Sequence, residues 1–440
     1  MKFDKFFALA KEKGLSEAQI QVSKSKSTSI NLFHHEIDNF SINDSQSIIA
    51  CGVVNGKFGI SRTEKMGRDT FEFLVDGIIE SARVNEKSEE VDLFKGSPKY
   101  HKKNVFNQAL ADADLKDTLI LLHKVEDDLY AYDKSITEVD EVAFEESEDM
   151  SEFYNSFGLK LKQRSNFFYI VASAVGKKGE EVKTNYDICL SNDLKAFDEK
   201  TFVNGIGEGL IKKFGGTQCD AGSYPTVLKD DIFSSLLGYF LESVSSDEIQ
   251  RHSSCLEGKL GQKIASTKLT ISEKPLQKNV FFSYFDDEGV ATSNKDIIKK
   301  GVLKTYLYNR ETAKKDGVES TGNGSWAGNK IGIGFGNILV KGSKKSFEEM
   351  ISGIEKGVYI TEIEGLGTGM NPHSGDFSCQ AQGFMIRGGK VAEPLNLITL
   401  SGNLFKMFAD IKSFDNKLKL HPSSFACTDV LIKKMAIGGK

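Results

Sequence analysis

Histidine and cysteine are the residue types in this chain that could bind a metal or act as base and nucleophile. The chain has seven histidines and six cysteines among 440 residues. His252 and Cys255 have the H-x-x-C spacing of half a zinc site, but the sequence offers no evident second pair of ligands. His373 and Cys379 could form a base and nucleophile pair that Asp376 orients, although side-chain alternation along a strand makes their meeting unfavourable. Neither spacing alone predicts a complete site.

The other histidines have weaker patterns. His34, His35 and Glu36 are consecutive and lie between two predicted strands. Neighbouring strand residues point to opposite faces, so we expect an exposed loop there and no pair of ligands. His101 falls on a charged loop and His123 on a predicted helix, while His421 and Cys427 form no recognisable motif.

Asp286, Asp287 and Glu288 are three consecutive carboxylates. Three adjacent acids could hold a hard cation, but the spacing of an EF-hand is missing, so a solvated acidic turn before Gly289 is the expectation. Two glycine runs, at residues 205–209 and 332–336, resemble phosphate-binding loops. Neither completes G-x-G-x-x-G before a helix, so we predict no nucleotide site.

Composition limits the classes of partner. The formal net charge is −5, with 57 Lys and Arg against 62 Asp and Glu, which argues against a direct nucleic-acid partner because such proteins need surplus positive charge. The cysteines are scattered without a C-x-x-C pair, as expected of small buried residues in a reducing compartment. The N-terminal residues lack the apolar run of a signal peptide, and no segment approaches the ~20 apolar residues of a membrane span. We therefore expect a cytoplasmic protein with no membrane partner.

The elements that would position these residues indicate an α+β fold. Apolar periodicity predicts helices near residues 3–13, 69–84, 115–132 and 197–213, and partial alternation predicts strands at 18–22, 29–33, 39–42, 47–54 and in several segments from 136 to 190. Asn55-Gly56 is a strong hairpin signal. The first half is therefore predicted as an antiparallel sheet with packed helices.

A glycine-rich break at residues 214–223 separates this half from the rest. We place an N-terminal α+β domain at residues 1–216 and a C-terminal β-rich domain at 223–440. The second half begins with a predicted strand at 224–228 and a helix from about residue 230 to 244. Ser346 to Glu349 form a capping box that opens a later helix.

The most patterned stretch is residues 365–404, which predicts a turn, two strands joined at residues 387–390, and a helix near Leu404 that the segment 401–403 can cap. This stretch resembles the TldD/PmbA family, long labelled "modulator of DNA gyrase", and its TldE/PmbA branch in particular. The family pattern is matched by Gly367, Gly369, Asn371, Gly375, Asp376, Phe377, Ser378, Gly383, Ile386, Gly389, Pro394, Ile398, Thr399, Gly402, Asn403 and Leu404. The resemblance implies that the C-terminal β-rich domain is of a kind peculiar to the family.

In the family's TldD branch a helix has an H-E-x-x-x-H motif, whose histidines would bind zinc and whose glutamate would act as base. Counting back from residues 256–261 puts Leu237, Gly238 and Glu242 at these positions, and no histidine lies between His123 and His252. The resemblance therefore implies no metal ligands and no catalytic residues in this chain, and zinc in a TldD-like partner.

The implied function is that of a silent TldE/PmbA-like subunit of a zinc metalloprotease, which helps to enclose extended or unfolded peptides. A homodimer is also possible. The residues implied to shape the fold or line the interior are Asp286, Asp287, Glu288, Gly375, Asp376, Phe377, Gly402 and Asn403. Two alternatives stay open: a stand-alone metallopeptidase with ligands such as His252 or His373, and a non-enzymatic modulator of DNA gyrase.

Overall fold

The computed structural model describes residues 3–85 and 92–440, and the predicted α+β architecture is confirmed. The first half contains four longer helices and one six-stranded sheet. Its elements are α1 (Asp4–Glu12), β1 (Glu17–Phe33), β2 (Glu36–Val54), β3 (Lys57–Thr63), α2 (Thr70–Val84), α3 (Gln108–Ala111), α4 (Leu115–Tyr132), β4 (Ile136–Asn155), β5 (Lys160–Lys178), β6 (Glu181–Ser191) and α5 (Glu199–Lys212).

This first sheet is antiparallel throughout, in the order β3-β2-β1-β4-β5-β6. Ile20 and Ile30 lie on the same face of β1, because residues an even number apart along a strand point the same way. Ile20 packs in a core cluster with residues of α1 and α2, and Ile30 packs in a second cluster with residues of α4 and α5. The helices therefore cover one face of the sheet at two places.

The long strands correct the sequence-based prediction. The separate strands expected at 18–22 and 29–33 are the single strand β1, and those expected at 39–42 and 47–54 are the single strand β2. The joining residues are mostly Ser, Lys, Asn and Asp, and residues 36–41 and 43–46 of β2 are largely exposed. Hydrophobic alternation fades where no helix covers the sheet, so the pattern did not reveal that the strands continue.

The second half is mainly β-structure with short helices. Its elements are β7 (Gly222–Leu228), α6 (Asp230–Glu242), α7 (Ser246–Gln250), β8 (Ile271–Glu273), β9 (Lys295–Lys299), β10 (Val302–Leu303), α8 (Arg310–Asp316), β11 (Gly324–Ala327), β12 (Lys330–Ile333), β13 (Ile338–Val340), α9 (Phe347–Ile351), β14 (Lys356–Glu364), α10 (Leu366–Gly369), β15 (Asp376–Arg387), β16 (Lys390–Asn403), α11 (Leu404–Ala409), β17 (Ile411–Phe414), β18 (Lys419–Leu420), β19 (Phe425–Cys427) and β20 (Val430–Gly438).

One sheet of this half runs β16-β15-β14-β7-β20-β17 and closes on itself through a further pairing of β16 with β20. A second sheet runs β10-β9-β8-β13-β19-β18. Helix α6 packs between them, with Phe233 and Phe240 edge-on to Phe408 of α11. Among the described residues, no helix is long and apolar enough to cross a bilayer.

Candidate functional site

Helix α6 is the place where the resemblance would put a zinc site. Leu237 is 0% exposed and belongs to the apolar core of this half. A Cβ on Gly238 would lie 3.7 Å from the ring of Phe425, so this position also faces packed side chains. Glu242 is exposed as a residue, but partial burial of its carboxyl and the nearby charge of Glu248 raise the pKa of that carboxyl. An aliphatic side chain, a glycine and one carboxylate do not fit a zinc ion, which takes three or four nitrogen, sulfur or oxygen ligands.

The start of α6 contains a buried group of ionisable side chains that the sequence did not reveal. The Asp429 carboxylate accepts hydrogen bonds from the Asp230 backbone N–H and from the Tyr359 hydroxyl, both at 2.9 Å. His421 is 6% exposed, and its Nε2 lies 3.7 Å from an Asp230 carboxylate oxygen. These residues come from four separate stretches of chain, and only the fold brings them together.

Burial and like charge shift the titration of this group. Burial, with a smaller contribution from nearby Asp230, raises the pKa of Asp429 to about 7. Burial also raises the pKa of Asp230 and lowers the pKa of His421. A carboxyl with a pKa near 7, such as that of Asp429, could exchange protons at neutral pH, but we assign it no substrate.

The patterned stretch forms a compact turn at the start of α11. Gly375 has φ +75°, and a Cβ there would meet the Phe405 ring at 2.7 Å, which accounts for the glycine. Asp376 accepts hydrogen bonds from Asn403 Nδ2 at 2.9 Å and from the Ser374 hydroxyl at 2.9 Å, and these bonds lower its pKa. Asn403 Oδ1 caps α11 by accepting from the Lys406 N–H. The predicted strands, their hairpin and this cap are confirmed.

Phe377 and Gly402 pair across β15 and β16, directly beside this turn. The Phe377 ring is 4% exposed, and a Cβ on Gly402 would meet that ring at 3.2 Å.

His373 is exposed at the outer end of the same turn, whereas the Cys379 thiol is buried and burial raises its pKa. His252 is also exposed, and its Nδ1 lies 2.8 Å from Glu257 Oε1. The hydrogen bonds of the described residues include none between His252 and Cys255.

Asp286, Asp287 and Glu288 lie at the contact between the two halves. The solvated turn expected here is wrong for Asp286, which is 9% exposed and accepts backbone N–H bonds from Glu288, Val290 and Gly324 at 3.0, 2.9 and 2.8 Å. Its pKa is raised, first by burial and then by Glu288. Backbone donors occupy the oxygens that a cation would need, so the segment is suited to holding the fold together.

The other two acids of this segment also make specific bonds. Asp287 accepts from Gln21 Nε2 of β1 at 2.8 Å and from the Trp326 N–H at 2.9 Å. Glu288 accepts from the Arg310 N–H at 2.8 Å, and burial raises its pKa to about 7. Among the hydrogen bonds that these acids make within the described residues, the one from Gln21 to Asp287 joins the two halves, whereas those of Asp286 and Glu288 stay within the second half.

A groove of about 730 Å³ crosses the first sheet. Small polar side chains line it in two neighbouring rows across β2, β1, β4 and β5: Ser47, Ser23, Ser151 and Gln163, then Ser45, Ser25, Asp149 and Ser165. We call this the serine groove. Gln163 Nε2 also donates to the Phe282 carbonyl at 2.7 Å, so the groove lies beside the contact between the halves.

The glycine runs do not form nucleotide loops. Residues 205–209 lie within α5, and residues 332–336 begin in β12 and continue without regular secondary structure. In the first half, the structure brings His35, His123 and Glu126 together, a grouping that the sequence analysis missed because the three come from a turn and a helix far apart in the chain.

Comparison with known proteins agrees with this architecture. Residues 108–213 match the family model described as PmbA/TldA metallopeptidase central domain, and residues 221–439 match the model described as PmbA/TldA metallopeptidase C-terminal domain. The chain is 24% identical over 431 residues to Metalloprotease PmbA of Escherichia coli O157:H7, covering 96% of this chain and 92% of that protein. It is 33% identical over 226 residues to a protein named Metalloprotease from Archaeoglobus fulgidus, covering 50% of this chain and 51% of the other.

Two solved structures share the whole fold. A Thermotoga maritima protein described as a candidate modulator of a DNA gyrase superposes with a TM-score of 0.91 at 26% identity, covering 99% of both chains. TldE from Thermococcus kodakarensis superposes with a TM-score of 0.91 at 22% identity, covering 100% of both chains. On these matches, the chain belongs to the PmbA/TldD metallopeptidase family.

Proposed function

We propose that this chain is a subunit without the peptidase zinc in a two-chain metalloprotease, and that it helps a zinc-bearing partner of the same family to enclose extended or unfolded peptides. The single observation that supports this role is helix α6. Its Leu237 is part of the apolar core, and no imidazole stands at any of the three zinc-motif positions. The hydrolytic step would then belong to the partner.

The serine groove is the surface we propose for the peptide. Its volume is in the range of natural ligand pockets, which is roughly 300–1,000 Å³. Small hydroxyls such as Ser25 and Ser165 could hydrogen-bond the amides of an extended chain and select little by side chain, because every peptide has the same backbone. The partner would cover the open side of the groove.

A binding measurement tests this surface. A fluorescein-labelled unfolded peptide is titrated with the chain, alone and with the zinc-bearing partner, and its anisotropy is followed. Ser165→Trp should weaken binding at least fivefold by filling the groove. Ser173→Trp is the matched control, since Ser173 lies on the same face of β5, is similarly half-buried and is outside the groove. If both variants weaken peptide binding equally, or if neither weakens it, the groove is not the peptide site.

Assembly is tested separately. The chain and a family member that has the H-E-x-x-x-H helix should elute together from a sizing column at equal stoichiometry. Elution as two unmixed species at micromolar concentration would contradict the two-chain proposal.

A further inference from the structure

The His35, His123 and Glu126 side chains meet where the β1–β2 turn packs against α4. His34 and His35 form the turn with φ of +51° and +60°, so the chain reverses tightly and directs His35 at the helix. His123 and Glu126 are three residues apart on α4 and so share one of its faces. The His35 backbone N–H donates to Glu126 Oε1 at 2.9 Å, which fixes the turn to the helix.

Glu126 is the unusual member of this group. Its side chain is 0% exposed, and its Oε2 has no hydrogen-bond partner among residues 3–85 and 92–440. That oxygen lies 3.4 Å from His35 Nδ1 and 4.0 Å from His123 Nδ1. A buried carboxylate oxygen without a donor costs roughly 1–3 kcal/mol or more, so the site favours a positively charged occupant.

We propose that these three residues form a site for a divalent transition-metal ion of the zinc class, bound by His35 Nδ1, His123 Nδ1 and Glu126 Oε2. One ligand atom from each of the three residues already lies within 4.8 Å of the other two. Ligands about 2.0–2.1 Å from a tetrahedral zinc are about 3.3 Å apart, so the two histidine rings need to move inward by small side-chain rotations. Both rings can do so because they are 51% and 34% exposed, and this exposure also gives an ion access.

Asp127 supplies a possible fourth ligand. Its Oδ1 lies 3.4 Å from His35 Nδ1, and it follows Glu126 on the rim of the site. Imidazole nitrogen with carboxylate oxygen is a donor set that suits zinc. Bound metal would join the β1–β2 turn to α4, and the site is remote in sequence from α6 and independent of any peptidase zinc.

Metal binding to the full-length chain tests the proposal. The protein is stripped with a chelator, titrated with zinc chloride by calorimetry, and its bound metal is measured by elemental analysis. One zinc per chain is expected. His123→Ala and Glu126→Gln should each weaken binding at least tenfold, whereas His34→Ala is the matched control, since His34 Nε2 lies instead 2.8 Å from Glu138.

Thermal unfolding with and without zinc distinguishes the loss of a metal ligand from misfolding of the variant. Zinc should raise the thermal midpoint of the wild-type and His34→Ala chains, and should not raise that of His123→Ala, whose circular dichroism should stay native. Cobalt(II) should give the visible absorption of a four-coordinate ion only where His35 and His123 are intact. No stoichiometric zinc in the wild-type chain, or equal affinity in His123→Ala and His34→Ala, would overturn the site.

Discussion

Whether α6 can bind zinc depends on the residue types at three positions, Leu237, Gly238 and Glu242. The family resemblance would put a zinc-binding helix at α6, but two of the positions it assigns to the zinc motif hold an aliphatic side chain and a glycine. The absence of histidine at these positions could be read from sequence. The packing of Leu237 against the core could not, because it depends on strands and helices that follow it by more than 100 residues.

The pKa of Asp429 predicts that the stability of the fold depends on pH. Its folded pKa of about 7 is above the ~3.8–3.9 of an unfolded aspartate, so the native state holds the proton more tightly. The stability gained from this protonation is present below the unfolded pKa and is lost as pH rises toward 7. Asp429→Asn, which resembles the protonated form, should therefore become progressively more stable than wild type from about pH 4 to 7 and keep that advantage above pH 7.

Urea unfolding at several pH values measures this difference. Asp376→Asn is the control, because hydrogen bonds from Asn403 and Ser374 lower the Asp376 pKa and its effect should be constant above pH 5. A difference between Asp429→Asn and wild type that does not change with pH would show that Asp429 is ionised throughout.

At the element scale, the helices and turns were largely predictable from sequence, while strand lengths were not. Helix α4 matches its predicted bounds of Leu115–Tyr132, and the Asn55-Gly56 turn and the Ser346 capping box are confirmed. These depend on periodicity and local turn chemistry. Strands β1 and β2 continue through polar residues because neighbouring strands supply backbone bonds, which no local pattern records.

The candidate sites could not be predicted from the sequence for a similar reason. His35 and His123 are separated by 88 positions, 123 minus 35, and only the packing of a turn on a helix brings them together. The Asp230, His421 and Asp429 group depends on the same kind of long-range contact.

Asn403 supports a prediction for the patterned stretch. Its side chain caps α11 and donates to both the Ser374 carbonyl and Asp376, at 2.8 and 2.9 Å. Asn403→Ala should lower the free energy of unfolding by about 1–2 kcal/mol, as expected for loss of a helix cap. Asn396→Ala on the same strand should change it by less than about 0.5 kcal/mol, since the Asn396 side chain accepts only from the Leu397 N–H within the part of the chain that the structure describes. Equal effects in chemical unfolding would show that the cap contributes nothing special.

For the whole molecule, tryptophan fluorescence can follow the contact between the two halves. Trp326 is the single tryptophan of the chain, and its Nε1 donates to Gln21 Oε1 of β1 at 2.9 Å. The Arg62 guanidinium lies 5.2 Å from the centre of the same ring. Gln21→Ala removes the acceptor for Trp326 and the donor to Asp287, so the contact should loosen.

Tryptophan emission during urea unfolding measures this loosening. In the wild-type chain the red shift should coincide with the loss of circular dichroism. In Gln21→Ala it should occur at lower urea than the loss of circular dichroism. Gln19→Ala, two residues earlier on the same face of β1, is the control. Coincident transitions in Gln21→Ala would show that this bond does not hold the halves together.

In the function we propose, this chain does not cleave peptides by itself and acts with a zinc-bearing partner of its family. The most direct measurement is the rate of cleavage of an unfolded peptide in excess zinc by the chain alone, by the partner alone and by an equimolar mixture. We expect no turnover by the chain alone, and cleavage by the mixture that clearly exceeds that by the partner alone. Turnover by the purified chain alone would contradict the proposed function and would require a peptidase centre elsewhere than on α6.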